Sequence, residues 1–472
     1  MKKLNEECGI FGIYSKKNKD KLVYSTAIGL STLQHRGEES CGIAINKDGI
    51  IEYHKDIGLV SEVFTPKVLE SMPDGKMAIG HVRYSTTGSS KKENAQPLVI
   101  RHQKGNLAIA HNGNLINAIE LKAELEASGS IFTTTSDTEV ICQLIVKERV
   151  KTTSIEEAIV NTMKKLKGAY SILLMSSKKL IAVRDPQGFR PLCMGKLGNK
   201  IMFASESCAF EVLGGKFIRD IEPGEMVVVT NNEIVAKNYF PNEKHGMCIF
   251  EYIYFARPDS IIEGISVHRF RENTGRYLAK QAPVDADIVA GVPDSGLDAA
   301  LGYSKESGIP YDIVFTKSKY IGRTFIQNSQ NKRQSAVSLK LSPLRSVVKG
   351  KTIILIDDSI VRGNTIMKIV KRLRKAGAKK IHLRIASPPF IDTCHFGTDI
   401  DNKEILIANN YSIEEIKEII DVDSLEYLSL DNLSKLTEKS HINGVCKGCF
   451  TGIYPIKVPK DIPKNTFEKI NL

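Results

Sequence analysis

The sequence predicts an α/β protein built from two unlike halves. Three observations carry this expectation. Residues 8 to about 236 alternate short apolar runs with turn residues, which describes a strand-rich body with a few packed helices. From about 247 the pattern changes to strand–loop–helix units, which favour a mainly parallel sheet with ligands at the strand C-terminal ends. The chain has 472 residues, room for more than one domain.

The elements follow in order. After the polar leader MKKLNEE, residues 1–7, an apolar run begins at Cys8 with CGIFGIY. CGIAIN, KMAIGHVRY and NLAIAHNG read as further strands. In SDTEVICQLIVKE, Ser136 or Asp137 can cap a helix, Glu139 lies in its first turn, and Val140, Ile141, Leu144 and Ile145 share a face. YSILLM, LIAVRD, IMFAS and EMVVVT return to strand grammar. The polar stretch AKNYFPNEKHGM, roughly 236 to 247, reads as the linker. DIVAGVPDSG then runs from a strand into a Gly/Pro/Asp/Ser loop, and KTIILIDDSIVRGNT from a strand into acids and a glycine turn. TIMKIVKRLRKAG places Ile366, Ile369, Val370 and Leu373 on one helical face, with Gly377 to stop it. IHLRIASPP is the next strand, and a Lys/Pro-rich tail, 456–472, ends the chain.

Composition narrows the function classes. Apolar content of 42% and charged content of 25% are ordinary for a globular protein. No run approaches the roughly 18 apolar residues of a membrane span, and the leader lacks the apolar core of a secretory signal. A cytoplasmic location without membrane association is expected. The net charge of +12 suggests anionic partners. Nucleic acid is not indicated, because Lys and Arg are spread along the chain and no helix-turn-helix signature is present. Nine cysteines without a secretion signal argue against a disulfide framework. Cys41, Cys142, Cys193 and Cys208 sit in apolar contexts and read as core. Cys248, Cys394, Cys446 and Cys449 lie in the second half, the last two as C-K-G-C. Four such thiolates suit Zn²⁺ or an iron–sulfur cluster, and spacing alone leaves both open. Cys8 has two readings as well: a small buried hydrophobe at a strand start, or a nucleophile masked by a short leader.

IILIDDSIVRGNT is the most specific stretch. A buried strand delivers Asp357 and Asp358 to its end, and a turn containing Gly363 enters a helix capped by Asn364 or Thr365. Backbone N–H groups in such a turn, with a helix N-terminus behind them, cradle an anion. Adjacent carboxylates suit sugar hydroxyls or a Mg²⁺ instead. Together they point to a phosphorylated sugar.

This stretch resembles the fingerprint of the type I phosphoribosyltransferases. The resemblance implies that Asp357 and Asp358 face the ribose of phosphoribosyl pyrophosphate (PRPP). It also implies that Ser359, Val361, Arg362, Gly363, Asn364 and Thr365 receive its 5′-phosphate. VAGVPDSG is similar to the family's pyrophosphate-side loop, with Asp294 and Ser295 placed for a Mg²⁺–pyrophosphate contact. Ser295, Asp357 and Asp358 are then the implied Mg²⁺ ligands. SKYIGRTFIQNSQNKRQSAVSLKL, with Lys319, Arg323, Lys332 and Arg333, resembles the segment that closes over PRPP.

The first half resembles another family. Cys8 is followed in order by HRGEESCGIA, HVRYSTTG, NAQPL, AHNGNL and TTSDTEV, as in the N-terminal-nucleophile amidotransferases. That resemblance implies a four-layer αββα glutaminase domain over 8–236 and a propeptide over 1–7. It implies Cys8 as nucleophile, Asn112 and Gly113 at the oxyanion, Arg83 on the glutamine α-carboxylate and Asp137 on its α-ammonium. Once freed, the Cys8 α-amine has a reference pKa of about 7.7–8.0, suited to a base at neutral pH. Glu38 stands where the family's HRGQE has Gln, and Cys41 where Ala or Gly is usual.

The two resemblances together imply glutamine-dependent amination of PRPP at C1, the first committed step of purine synthesis. They also imply a phosphoribosyltransferase domain over 247–455, passage of ammonia between the domains, inhibition by purine nucleotides and a homotetramer. The propeptide-bearing branch carries a [4Fe–4S] cluster, which maps onto Cys248, Cys394, Cys446 and Cys449, with Thr398 where Ile is usual nearby. Hexosamine and asparagine synthases share the first half but would lack IILIDDSIVRGNT. PRPP-sensing regulators share the second fold but lack the glutaminase half.

Overall fold

The computed structural model describes residues 8–17, 21–84, 91–317, 341–398, 400, 402–438, 441 and 443–459. The first half contains two stacked antiparallel sheets. One has seven strands in the spatial order 216–220, 193–197, 200–204, 9–14, 77–83, 40–47 and 50–57. The other has six, in the order 234–238, 225–229, 180–184, 168–175, 105–115 and 98–102. Ile10, Ile79, Ala108, Leu173 and Val227 fill the space between them. Alternate residues of the same strands face outward. Phe11 and Ile13 pack on the helix Leu22–Thr32, with Leu22, Val23 and Leu30. On the far side, Ile109 and Ile172 pack under the helices Ala118–Ala127, Asp137–Lys151 and Ile155–Met163. Each sheet is therefore covered on both faces, which gives the four α-β-β-α layers. It also explains why CGIFGIY and YSILLM are apolar throughout instead of alternating.

The second half has a parallel four-stranded sheet in the order Ile288–Gly291, Thr352–Asp357, Lys380–Ile385 and Ser424–Tyr427. Ile354 and Ile356 face the helices Val267–Gln281 and Leu297–Ser307. Ile353 and Leu355 face Asn364–Ala376 and Ile413–Ile420. Ile366, Ile369, Val370 and Leu373 are buried as their spacing predicts, and Gly377, in a left-handed conformation, ends the helix. Cys41, Cys142, Cys193 and Cys208 are all core residues.

Two local expectations need correction. The helix after the acid pair is not capped by Asn364 or Thr365. Gly363 is its cap, and both polar residues lie inside the first turn. The stretch read as a linker opens as an edge strand, Ile234–Asn238, paired with Glu225–Val229. Its apolar partners lie on the neighbouring strand, so local composition does not reveal the pairing. Residues 1–7 and 460–472 lie outside the described residues. Among the described residues no helix is long and apolar enough to cross a membrane.

Candidate active site

Cys8 immediately precedes the Gly9–Tyr14 strand near the middle of the seven-stranded sheet. Gly9 pairs with Val82, which brings Cys8 beside Arg83 at the end of the Met77–Arg83 strand. The Cys8 Sγ–H donates to the Tyr84 carbonyl at 3.4 Å, and Arg36 Nε donates to the Cys8 carbonyl at 3.1 Å. Burial pushes the thiol up to about 11, with the Tyr84 contact and the Arg83 charge opposing and Asp137 and Glu39 adding to the rise. The fold thus brings Cys8, Arg83 and Asp137 within electrostatic reach of one another.

Asn112 and Gly113 come from the other sheet, on the Gly105–Leu115 strand. The side-chain Nδ2 of Asn112 is buried and has no hydrogen-bond partner among the described residues. An unused buried donor costs on the order of 1–3 kcal/mol, so it signals a missing acceptor. Gly113 has φ +151°, and a Cβ there would stand 2.1 Å from the Ala169 carbonyl oxygen. Ser136, not Asp137, caps the following helix by accepting from the Thr138 N–H. Asp137 is left to accept from the Leu115 N–H at 3.0 Å, with its other oxygen 3.7 Å from His111 Nδ1.

Sequence reasoning missed the scaffold behind these groups. Gln96 accepts from the His111 N–H at 2.8 Å and donates to Thr138 Oγ1 at 3.0 Å. His81 Nε2 lies 3.1 Å from the His111 carbonyl, and burial pushes that imidazole down to about 3. A neutral His81 can therefore brace the Asn112 strand through an N–H donated to that carbonyl. Gln96 was visible only as part of NAQPL, and the histidines carried no spacing signal.

In the second half, Asp357 and Asp358 stand buried at the C-terminal end of the Thr352–Asp357 strand. The Ser295 and Ser359 hydroxyls both donate to Asp358, and the Asp358 N–H donates to Asp357 Oδ1 at 3.0 Å. The Val292 N–H donates to the Ile356 carbonyl at 2.8 Å, seating the Asp294–Ser295 loop beside the acids. Asp294 pairs with Lys317. Val361 and Arg362 lie on the turn, Asn364 and Thr365 on the first helical turn. The Ile407 N–H pins that turn through the Val361 carbonyl at 2.9 Å. Gly363 has φ +74°, a left-handed conformation that favours glycine in this turn. Lys319, Arg323, Lys332 and Arg333 lie outside the described residues. Ser295, Asp357 and Asp358 offer the hard oxygen donors that Mg²⁺ prefers. Among the described residues no three His, Cys, Asp or Glu side chains are close enough to grip an ion by themselves. An ion at this acid pair would complete its shell with further oxygens, from a substrate or from water.

The remaining cysteines meet at a third place. Cys248 pairs in register with Cys446 where Met247–Cys248 runs parallel to Val445–Cys446. The Cys449 carbonyl accepts from the Ile391 and Asp392 N–H groups at 3.0 and 3.1 Å, which draws in the Cys394 segment. All four line one small apolar cavity with Phe250, Phe390 and Tyr454, and Thr398 forms part of its wall. Burial raises the Cys449 thiol well above its usual value, and Cys248, Cys394 and Cys446 raise it further. Four thiols lining one cavity offer the soft donors that a zinc ion or an iron–sulfur cluster takes.

Comparisons with known proteins cover both halves. A glutamine amidotransferase domain family matches residues 81–212, and a phosphoribosyl transferase domain family matches residues 267–386. An amidophosphoribosyltransferase of Methanocaldococcus jannaschii is 50% identical, covering 98% of this chain and 99% of that protein. One from Bacillus subtilis is 46% identical, covering 98% and 96%. The solved B. subtilis glutamine PRPP amidotransferase, complexed with ADP and GMP, superposes with a TM-score of 0.90 at 45% identity over 96% of this chain and 98% of that one.

The unused Asn112 donor makes a testable difference in stability. Asn94 is equally buried, but its side chain donates to Thr135 Oγ1 at 2.8 Å and accepts from the Thr135 N–H at 2.9 Å. Thermal melts should show Asn112→Ala losing less stability than Asn94→Ala, by about 1–2 kcal/mol, because the volume terms cancel and only Asn94 loses partners.

Proposed function

The chain belongs to the amidophosphoribosyltransferase family, enzymes of the first step of purine biosynthesis, which use glutamine and PRPP, and we propose the following division of labour among its residues. The 8–236 half hydrolyses glutamine and the 247–455 half transfers the amine. Cys8 Sγ attacks the glutamine amide carbon. The Asn112 side chain and the Gly113 N–H receive the oxyanion, Arg83 takes the α-carboxylate and Asp137 the α-ammonium. The single observation that carries this reading is the unpartnered Nδ2 of buried Asn112, on a strand whose Leu115 N–H and His111 ring meet Asp137, the carboxylate whose charge reaches Cys8.

The α-amine of Cys8 takes the thiol proton and passes it to the departing nitrogen. Ammonia leaves as the C–N bond breaks, and water later clears the glutamyl thioester. Removal of residues 1–7 frees that amine. Burial raises the thiol to about 11, so the freed α-amine is the base this reading gives it at neutral pH. Ammonia then attacks C1 of PRPP and pyrophosphate departs. Asp357 and Asp358 hold the ribose hydroxyls, and the Ser359–Thr365 turn holds the 5′-phosphate. Lys319 and Arg323, outside the described residues, contribute positive charge for PRPP.

Ser295, Asp357 and Asp358 would hold Mg²⁺ together with substrate oxygens, and the ion would offset charge on the departing pyrophosphate. Cys248, Cys394, Cys446 and Cys449 would hold a [4Fe–4S] cluster that cross-links three segments of the second half. Purine nucleotides act as feedback inhibitors, and the enzyme works as a cytoplasmic homotetramer. A PRPP-sensing regulator is disfavoured by the complete glutaminase half. Burial between the halves keeps ammonia uncharged and nucleophilic in transit.

Cys8→Ser should abolish glutamine-dependent phosphoribosylamine formation and preserve synthesis from added ammonia at a pH that supplies free NH₃. Equal loss of both activities in folded protein would refute the division of labour. The purified wild type should contain iron and sulfide, and Cys446→Ser should lose both along with most soluble yield. Stoichiometric zinc in place of iron would contradict the cluster.

A further inference from the structure

Two of the cysteine-bearing segments are tied to the glutaminase half by buried hydrogen bonds. Cys394 lies two residues before Phe396, whose carbonyl accepts from Arg190 Nε at 3.1 Å and Nη2 at 2.6 Å. Gly397 makes room for that grip, since a Cβ there would meet Arg190 Nη2 at 2.9 Å. Phe189 stacks on Phe396 with ring centroids 4.0 Å apart. Arg190 Nη1 then donates to Glu251 Oε1 at 3.3 Å, and Glu251 lies three residues beyond Cys248. Arg36 donates to Glu251 through Nη2 at 2.7 Å and Nη1 at 2.9 Å, and its Nε donates to the Cys8 carbonyl. Arg36, Arg190 and Glu251 are all wholly buried. A second tie runs alongside. Asn114 Nδ2 donates to the His395 carbonyl at 2.8 Å, and Asn114 is two residues beyond Asn112 on the same strand.

We infer that the Cys394 and Cys248 segments position the glutaminase nucleophile. Arg190, Glu251 and Arg36 form a continuous link from Phe396 to the Cys8 carbonyl, and Asn114 holds the oxyanion strand to the same segment. Solvent cannot replace a lost partner at these depths, so a shift of the Cys394 segment must be taken up by its neighbours along the link. The four-cysteine site then does more than brace the second half. Its integrity sets the aim of Cys8 and the spacing of Asn112 from it. Arg36, Arg190, Glu251 and Asn114 are positioning residues, since none touches the reacting atoms. The inference rests on the proposed roles of Cys8 and of the four cysteines.

The test uses Arg190→Lys and Asn114→Ala in the full chain. The first keeps the charge but loses the forked grip on Phe396, and the second removes the side-chain bond to the His395 carbonyl at a half-buried site. The principal readout is the rate at which an electrophilic diazoketone analogue of glutamine alkylates Cys8. Glutamine kcat and KM, ammonia-dependent turnover and iron per chain are measured beside it. Misplacement of the nucleophile should slow alkylation and glutamine kcat on the order of tenfold in Arg190→Lys, and less in Asn114→Ala. Ammonia-dependent turnover and iron content should stay at wild-type levels. If Arg190→Lys does not fold, Asn114→Ala decides. Wild-type alkylation in the folded variants, or equal loss of ammonia-dependent turnover, overturns the inference. The parent reading fails separately, if Cys8→Ser still uses glutamine or if the wild type carries no iron.

Discussion

Arg36 is wholly buried, and a guanidinium cannot shed its proton, so its donors must find acceptors inside the protein. It finds Glu206 at 2.7 Å within its own half, Glu251 from the second half, and the Cys8 carbonyl. Glu206 in turn accepts from the Arg257 N–H at 2.8 Å and the Ser260 hydroxyl at 2.7 Å, both across the boundary. Burial alone would raise Glu206, yet His35 and Arg36 hold it well below the usual carboxylate range. Removing one member of such a set leaves an uncompensated buried charge, typically at a cost of about 3–5 kcal/mol. The two halves are therefore joined at Cys8 itself.

That junction orders the surrounding chemistry. One wall of the proposed glutaminase site is the end of the seven-stranded sheet, where Cys8 and Arg83 lie side by side. The other is the six-stranded sheet, which delivers Asn112 and, through the Leu115 N–H, fixes Asp137. The proposed transferase site sits at the C-terminal end of a parallel strand, where backbone N–H groups and carboxylates can share a ligand. Arg184 adds a further tie. Its guanidinium is buried, pairs with Glu263 of the second half, and donates to the Gly188 carbonyl at 2.9 Å.

The parts readable from sequence were those with a local cause. The parallel strand IILID is apolar because both its faces are covered, and the helix after it shows its buried stripe at 3.6-residue spacing. Ser136 and Gly377 follow ordinary capping chemistry. Asn364 and Thr365 misled because good cap residues stand next to a glycine that already has the left-handed conformation. Arg36 and Glu251 could not be paired in advance. They lie 215 residues apart, and a long-range ion pair leaves no periodic trace. His81 and Gln96 were hidden for the same reason, because their partners come from other strands and from a helix.

The central claim is that both halves act as one device, with ammonia made at Cys8 consumed at C1 of PRPP before it reaches solvent. Amide-¹⁵N glutamine supplied with PRPP and excess unlabelled ammonia tests this directly, by mass analysis of the trapped phosphoribosylamine. The account predicts product nitrogen almost entirely ¹⁵N while external ammonia is abundant. Label diluted in proportion to the external pool would contradict it.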